Sequence, residues 1–201
     1  MFKVIGLTGS VASGKSTVSS ILSQLGAIII DADKVARKIV NKGEPALQQI
    51  INTFGSDIVD EQGELKRKKL GNIVFNSKDE LEKLNQITHP KIIEEIQNEI
   101  NWYKHRHIDS VIIIDAALLI ELNMHTIVDE TWVVYVPLET QIQRLVNRDD
   151  IRKEDALRRI DTQMTNQSKL QYADKVINNV GSIEELEDEV RQCWDSVMKS
   201  K

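Results

Sequence analysis

Eight residues, Gly9-Ser10-Val11-Ala12-Ser13-Gly14-Lys15-Ser16, carry the plainest chemistry in this 201-residue chain. Glycines at both ends of a G-x-x-x-x-G-K-S pattern let main-chain amides wrap an anion. Lys15 adds an ammonium beside the β- and γ-phosphates, and Ser16 a hydroxyl placed for Mg2+. The pattern predicts a phosphate-binding loop and makes a nucleoside triphosphate the expected ligand. A glycine-bearing turn with a stray lysine is the plain alternative, and the flanks argue against it. Phe2 to Leu7 reads as a short buried strand. Val18, Ile21, Leu22 and Leu25 share one helical face, and Gly26 stands where a helix can stop. A helix beginning near Lys15 aims its free N–H groups and positive dipole end at the anion.

Three further groups could complete a phosphoryl-transfer site. Asp31 and Asp33 end an apolar run, and one of them could accept a proton from an attacking hydroxyl; Asp33 is the expected base. Capping of a helix that starts near Lys34 is the competing use for either carboxylate. Asp115 ends the most hydrophobic run, where an acidic residue steadies magnesium, directly or through water, opposite Ser16; a strand-end Asp that only opens a turn is the alternative. Arg144 and Arg148 lie at i and i+4, followed by Arg152, Arg158 and Arg159, a supply of cations for a transferring phosphoryl group. Glu139, Asp149, Asp150, Glu154, Asp155 and Asp161 lie close enough in sequence to pair with these arginines as ordinary surface.

Such groups need a scaffold to bring them together. Besides the first strand, Ala27–Ile30, Val111–Ile114, Thr131–Val136 and Lys175–Ile177 are short β-rich runs separated by helical patterns. That alternation predicts an α/β fold with a five-stranded parallel sheet flanked by helices. Ligands of such sheets gather at the carboxyl ends of the strands, where the loop, Asp31, Asp33 and Asp115 all fall. The expected core is 1–33, 108–138 and 173–201. Residues 34–107 exceed any simple crossover, hold several helical patterns and predict a helical substrate-binding insert. Residues 139–172 are polar, hold five arginines and read as a mobile, charged lid. From Ser182 a closing helix is expected, with Ser182 and Glu185 as a capping box and a stripe of Ile183, Leu186, Val190, Trp194 and Val197.

Composition narrows the class. A net charge of −5 argues against a protein built to coat nucleic acid or an acidic membrane. Cys193, the single cysteine, excludes an intramolecular disulfide, and no apolar stretch reaches the ~20 residues of a membrane span. With no secretory-signal pattern at the N-terminus, the cytoplasm is the expected compartment. His105 and His107 lack partners at metal spacing and read as a polar loop. Cys193 reads as packing, and Trp102, Trp132 and Trp194 are too scattered to form a base-stacking platform.

Taken in order, the motifs resemble those of the dephospho-coenzyme A kinase family over nearly the whole chain. The matching pieces are Gly6-Leu7-Thr8-Gly9 leading to Ser13-Gly14-Lys15-Ser16-Thr17, Asp31-Ala32-Asp33, His89-Pro90, Leu118-Leu119 with Glu121, and Gln143-Arg144-Leu145 with Arg148. Glu154-Asp155-Ala156 with Arg159-Ile160 and Gln163 follow, then Ala173-Asp174 with Val176-Ile177 and Asn179. The resemblance implies a P-loop kinase fold with a helical coenzyme-binding subdomain and a lid. It also implies transfer of the ATP γ-phosphoryl group to the ribose 3′-hydroxyl of dephospho-coenzyme A, with Mg2+. On that resemblance Asp33 is the base, and Gly9 with Ala12, Ser13, Gly14, Lys15, Ser16 and Thr17 forms the ATP cradle. Arg144 and Arg148 are lid cations, Asn179 lies near the adenine, and Arg67 and His89 belong to the coenzyme side. A His-Pro that merely ends a helix is the alternative for His89.

Three departures stand out. Ser10-Val11-Ala12 replaces the family's frequent Gly-Gly-Ile, Ala117 stands where a proline is usual, and Leu65-Lys66-Arg67 replaces Leu-Asp-Arg. The last creates a basic run, Lys66 to Lys69, which reads as solvated surface rather than as a grip on the substrate's diphosphate. Two other classes remain open at this point: a P-loop kinase of nucleosides or nucleotides, and a nucleotide-binding switch. Against the second, no Asn-Lys-x-Asp guanine-reading pattern occurs.

Overall fold

Side-chain alternation along the first strand, Lys3–Thr8 (β1), explains the two faces of the sheet. Ile5 and Leu7 join a buried cluster with Val111, Ile113, Trp132, Val134 and Ile177 from other strands. On the opposite face Gly6 leaves room for Leu119, whose Cδ2 would stand 2.5 Å from an added Cβ. The computed structural model describes residues 2–106 and 109–199. The remaining strands are Ile28–Asp31 (β2), Val111–Asp115 (β3), Glu130–Tyr135 (β4) and Lys175–Asn178 (β5). They form a five-stranded parallel sheet in the order β2-β3-β1-β4-β5. In its register Leu7 lies opposite Asp115 on one side and Trp132 on the other. This is the predicted fold class, with strand ends displaced by a residue or so.

By contact density the chain forms two units, Met1–Ile30 with Lys104–Lys201, and Asp31–Tyr103. In the first, helix Lys15–Gln24 (α1) buries Val18, Ile21 and Leu22 in the cluster that Ile5 and Leu7 join. Gly26, at φ 99°, takes the left-handed turn that closes the helix. The closing helix, Ile183–Lys199, adds Leu186, Val190, Trp194 and Val197 to the same cluster. Its capping box forms as expected: the Ser182 amide donates to Glu185 Oε2 at 2.8 Å and the Glu185 amide to Ser182 Oγ at 3.3 Å. Ile183 is exposed, so the buried stripe starts at Leu186.

The second unit is helical. Ala32–Lys38 (α2), Pro45–Phe54 (α3), Arg67–Phe75 (α4) and Lys78–His105 (α5) bury Val35, Leu47, Ile50, Leu70, Val74, Ile92 and Ile96. One alternative falls and one expectation is corrected here. His89-Pro90 does not end a helix, because α5 runs through Pro90 as one helix of 28 residues. Proline removes one hydrogen bond and crowds the preceding turn, a local penalty that neighbouring turns and packing at Ile92 and Ile96 can outweigh. His105 is likewise the last residue of α5 rather than part of a polar loop, and His107 lies outside the described residues.

Residues 138–170 also form helices: Leu138–Asp149 (α6), Lys153–Ile160 (α7) and Asn166–Leu170 (α8), which belong to the first unit. Ile142, Leu145 and Ala156 make a small core between them, against which Val11 and Ala12 pack. The closing helix Ile183–Lys199 becomes α9. No helix among the described residues is long and apolar enough to cross a membrane.

Candidate active site

The phosphate-loop pattern of the sequence forms a real turn at the carboxyl end of β1. The Ser13 amide donates to the Ser10 carbonyl at 3.0 Å, and Ala12 and Gly14 take left-handed backbone angles, φ 62° and 88°. Gly14 is then the N-cap of α1, its carbonyl accepting from the amides of Thr17 at 3.0 Å and Val18 at 3.2 Å. The amides of Gly14, Lys15 and Ser16 have no protein acceptor among the described residues. Helix geometry leaves such donors free, and they converge at the helix start, where the dipole adds positive potential. Ser13 Oγ is buried and unpartnered as well. An uncompensated polar atom at that depth costs roughly 1–3 kcal/mol, a debt that an anionic ligand or its water can relieve.

Both pattern glycines are required by their surroundings. A Cβ at Gly9 would lie 2.5 Å from Ser13 Oγ and 2.9 Å from the Val134 carbonyl oxygen, while one at Gly14 would overlap Asn179 Nδ2. Asn179 is buried and donates from Nδ2 to the Ser13 carbonyl at 2.7 Å. Arg144 Nη2 donates to the Asn179 carbonyl at 2.9 Å. Arg144, from within the 139–172 segment, and Asn179, from beyond it, thus meet beside the loop.

Lys15 Nζ forms an ion pair with Asp115, both side chains being mostly shielded. β1, which leads into the loop, and β3 are neighbours with Leu7 opposite Asp115, and this sets the first residue of α1 beside the end of β3. Ser16 is an exposed residue in the first turn of α1. Ser16 and Asp115 offer hard oxygen donors of the kind Mg2+ takes. Among the described residues no cluster of three or more His, Cys, Asp or Glu could hold a metal by itself. The protein atoms present therefore suit an ion that arrives with phosphate oxygens and water as its other ligands.

One group of the first unit had no signal in the sequence. Lys169 of α8 is completely buried, and its ammonium donates to both Glu121 oxygens at 2.9 Å and to the Ala117 carbonyl at 2.8 Å. Burial pushes its pKa down, Glu121 opposes that shift, and the charge of Lys15 adds to it. Ala117, two residues past Asp115, also accepts from Thr8 Oγ1 at 3.1 Å, and Glu121 accepts from the Met164 amide at 3.1 Å. A lysine in a polar, charged stretch reads as surface, and only the fold turns it inward. Gln141 and Asn166, described below, were equally hidden, while Gln163 stood among the matching motif residues without a role.

Elsewhere the arginines divide. Arg148 pairs with Asp149 at 2.8 Å, Arg159 with the same carboxylate, and Arg152 and Arg158 with Asp155. These are the surface pairings anticipated as the alternative reading. In the second unit Asp31 is the N-cap of α2, its Oδ1 accepting from the Lys34 amide at 3.0 Å. The strand ends there, so Asp31 and Asp33 do not continue along one strand face; the helix starts at Ala32, two residues earlier than expected. Asp33 lies in the first turn, exposed and with no protein partner among the described residues. Arg67 opens α4 and donates to the Arg37 carbonyl at 3.2 Å, and Lys66, Arg67, Lys68 and Lys69 are all exposed. His89 is half-buried in α5, which lowers its pKa. Cys193 packs against the sheet cluster and burial raises its pKa. Trp132 and Trp194 are core, and Trp102 is exposed.

With this geometry in place, comparison with known proteins is decisive. A family model described as dephospho-CoA kinase matches residues 3–185. The chain belongs to the dephospho-CoA kinase family. Relatives include the dephospho-CoA kinase of Carboxydothermus hydrogenoformans, 49% identical over 187 residues that cover 93% of this chain and 90% of that one. That of Listeria innocua is 44% identical over 201 residues, the full length of both. Among solved structures, the dephospho-CoA kinase from Campylobacter jejuni superimposes with a TM-score of 0.77 at 30% identity, covering 100% of this chain and 99% of that one. Family membership and the P-loop kinase fold agree with the resemblance read from the motifs.

Proposed function

We propose that this chain transfers the γ-phosphoryl group of ATP to the ribose 3′-hydroxyl of dephospho-coenzyme A, giving coenzyme A and ADP, the last step of coenzyme A synthesis. The observation that carries the proposal is the set of unpartnered amides at Gly14, Lys15 and Ser16, beside the Lys15 ammonium, in a chain of this family. Those amides and the loop from Gly9 to Thr17 receive the phosphates. Lys15 exchanges part of its pairing with Asp115 for the β- and γ-oxygens, and Arg144 supplies a second cation. Asn179 borders the nucleotide, while Arg148 joins the lid cations only on leaving Asp149. Ser16, with Asp115 directly or through water, would hold Mg2+, which would supply positive charge against the phosphates.

The acceptor side is the segment 34–107, with Asp33, Arg67 and His89, and residues 139–172 form the lid. Asp33 takes the proton of the 3′-hydroxyl as its oxygen bonds to the γ-phosphorus. The bond from that phosphorus to the β–γ bridging oxygen breaks, and ADP leaves with the electron pair. Asp33 suits the role because its carboxylate is uncommitted, whereas Asp31 is engaged as a helix cap. Its substrates, ATP and dephospho-coenzyme A, are water-soluble, which suits a cytoplasmic enzyme.

The test is a panel of acceptors incubated with ATP and Mg2+, read by ADP release and by phosphorus NMR of the product. A new 3′-phosphomonoester on the coenzyme's adenosine is expected, and preference for a free nucleoside would overturn the assignment. Asp33→Asn should lower kcat by at least about a hundredfold, the usual scale of general-base catalysis, with little change in ATP affinity. A greater loss from Asp31→Asn would transfer the role of base to Asp31.

A further inference from the structure

The phosphate loop is not left to hold its own shape. Both main-chain groups of Val11 are taken by glutamine side chains from the 139–172 segment. The Val11 amide donates to Gln163 Oε1 at 2.9 Å, and its carbonyl accepts from Gln141 Nε2 at 2.7 Å. The preceding residue is held by a third amide side chain, since Ser10 Oγ donates to Asn166 Oδ1 at 2.6 Å. Asn166 Nδ2 in turn donates to the Val136 carbonyl at 2.8 Å and to Gln141 Oε1 at 3.0 Å, which links the trio into one network. Gln141 and Ser10 are buried. Below the network the side chains of Val11 and Ala12 pack on the cluster of Ile142, Leu145 and Ala156.

We infer that Gln141, Gln163 and Asn166 are positioning residues for nucleotide binding: they hold Ser10-Val11-Ala12 in the shape that aims the following amides at phosphate. Two features make the network more than packing. Ala12 is held in the left-handed region, φ 62°, where a residue with a Cβ is strained and stays only if its neighbours over-determine it. The Val11 amide, fixed by Gln163, is also withdrawn from the set of donors open to a ligand, so the network selects which amides face the anion. Ser10 and Val11 stand where the family frequently has glycines, and Ala12 where it has isoleucine. External bracing replaces the conformational freedom those glycines would give.

The inference rests on ATP as the ligand of the loop but not on the acceptor. Gln163→Leu removes the acceptor for the Val11 amide from a half-buried site and keeps its bulk; Gln141→Leu does the same for the buried donor. ATP binding is measured by calorimetry without acceptor, the melting temperature without nucleotide, and KM and kcat with dephospho-coenzyme A. Roughly tenfold weaker ATP binding is expected for each variant, the scale of one hydrogen bond, with most of the kinetic loss in KM for ATP. Unchanged ATP affinity would overturn the inference, as would affinity lost only in step with a fall in the nucleotide-free melting temperature. A wild-type protein that binds ATP through this network yet phosphorylates a different acceptor would defeat the proposed function alone.

Discussion

Gly14→Ala tests whether the loop's glycine is needed for its backbone angle, for its closeness to Asn179, or for both. At φ 88° a side chain incurs about 1–2 kcal/mol of left-handed strain. The added Cβ also overlaps Asn179 Nδ2, which must move and give up its 2.7 Å bond to the Ser13 carbonyl, in a side chain with only 8% of its surface exposed. Losing that bond in a buried place adds about 1–2 kcal/mol. The total is near 3 kcal/mol, on the order of a hundredfold in an equilibrium constant. Urea unfolding of the ADP-saturated protein captures this whether it appears as lost stability or as lost affinity. Asn179→Ala supplies the control, because in that background only the strain of about 1–2 kcal/mol should remain. An equal penalty for Gly14→Ala in both backgrounds would refute the steric part of the reasoning.

Lys169→Met should destabilise the protein by about 3–5 kcal/mol, because it leaves the Glu121 carboxylate unpaired in a largely shielded place. Adding Glu121→Gln should restore much of the melting temperature, and no recovery would show that the pair itself was not the reason. Lys15→Met should weaken ATP binding and lower kcat together, since transition-state charge loses a partner; turnover at the wild-type rate would make the loop lysine dispensable. For His89, burial disfavours the protonated ring, so its contribution to stability is present above the ordinary histidine pKa of about 6.5 and is lost as pH falls through the lowered value. His89→Gln should therefore lose less urea resistance than the wild type between neutral and mildly acid pH, and identical losses would exclude that cause.

Much of the fold was legible because its signals are local. Strand β3 is four apolar residues and an aspartate, α1 is a helical stripe after a glycine pattern, and Ser182 with Glu185 closes a cap within one turn. Where local rules competed, sequence reading left alternatives open that only the fold decides. Pro90 breaks a helix by local geometry, yet α5 continues through it, because residues on either side belong to one 28-residue helix. Asp31 and Asp33 look alike two positions apart, but only one can stand at the N-cap, and the backbone turn at Ala32 makes that Asp31.

The sequence by itself determined the phosphate loop, its flanking strand and helix, the class of sheet and the family, since each depends on residue types at fixed short spacings. Tertiary structure alone decided that Lys169 is buried against Glu121 and Ala117, and that three amide side chains from the 139–172 segment brace Ser10 and Val11. It also decided that Asn179 fills the space a side chain at Gly14 would need. Those contacts join residues from about 50 to 170 positions apart in the chain. No periodicity or motif records such a meeting, because polar side chains at those positions are equally at home in water until the packing of helices against the sheet removes that choice.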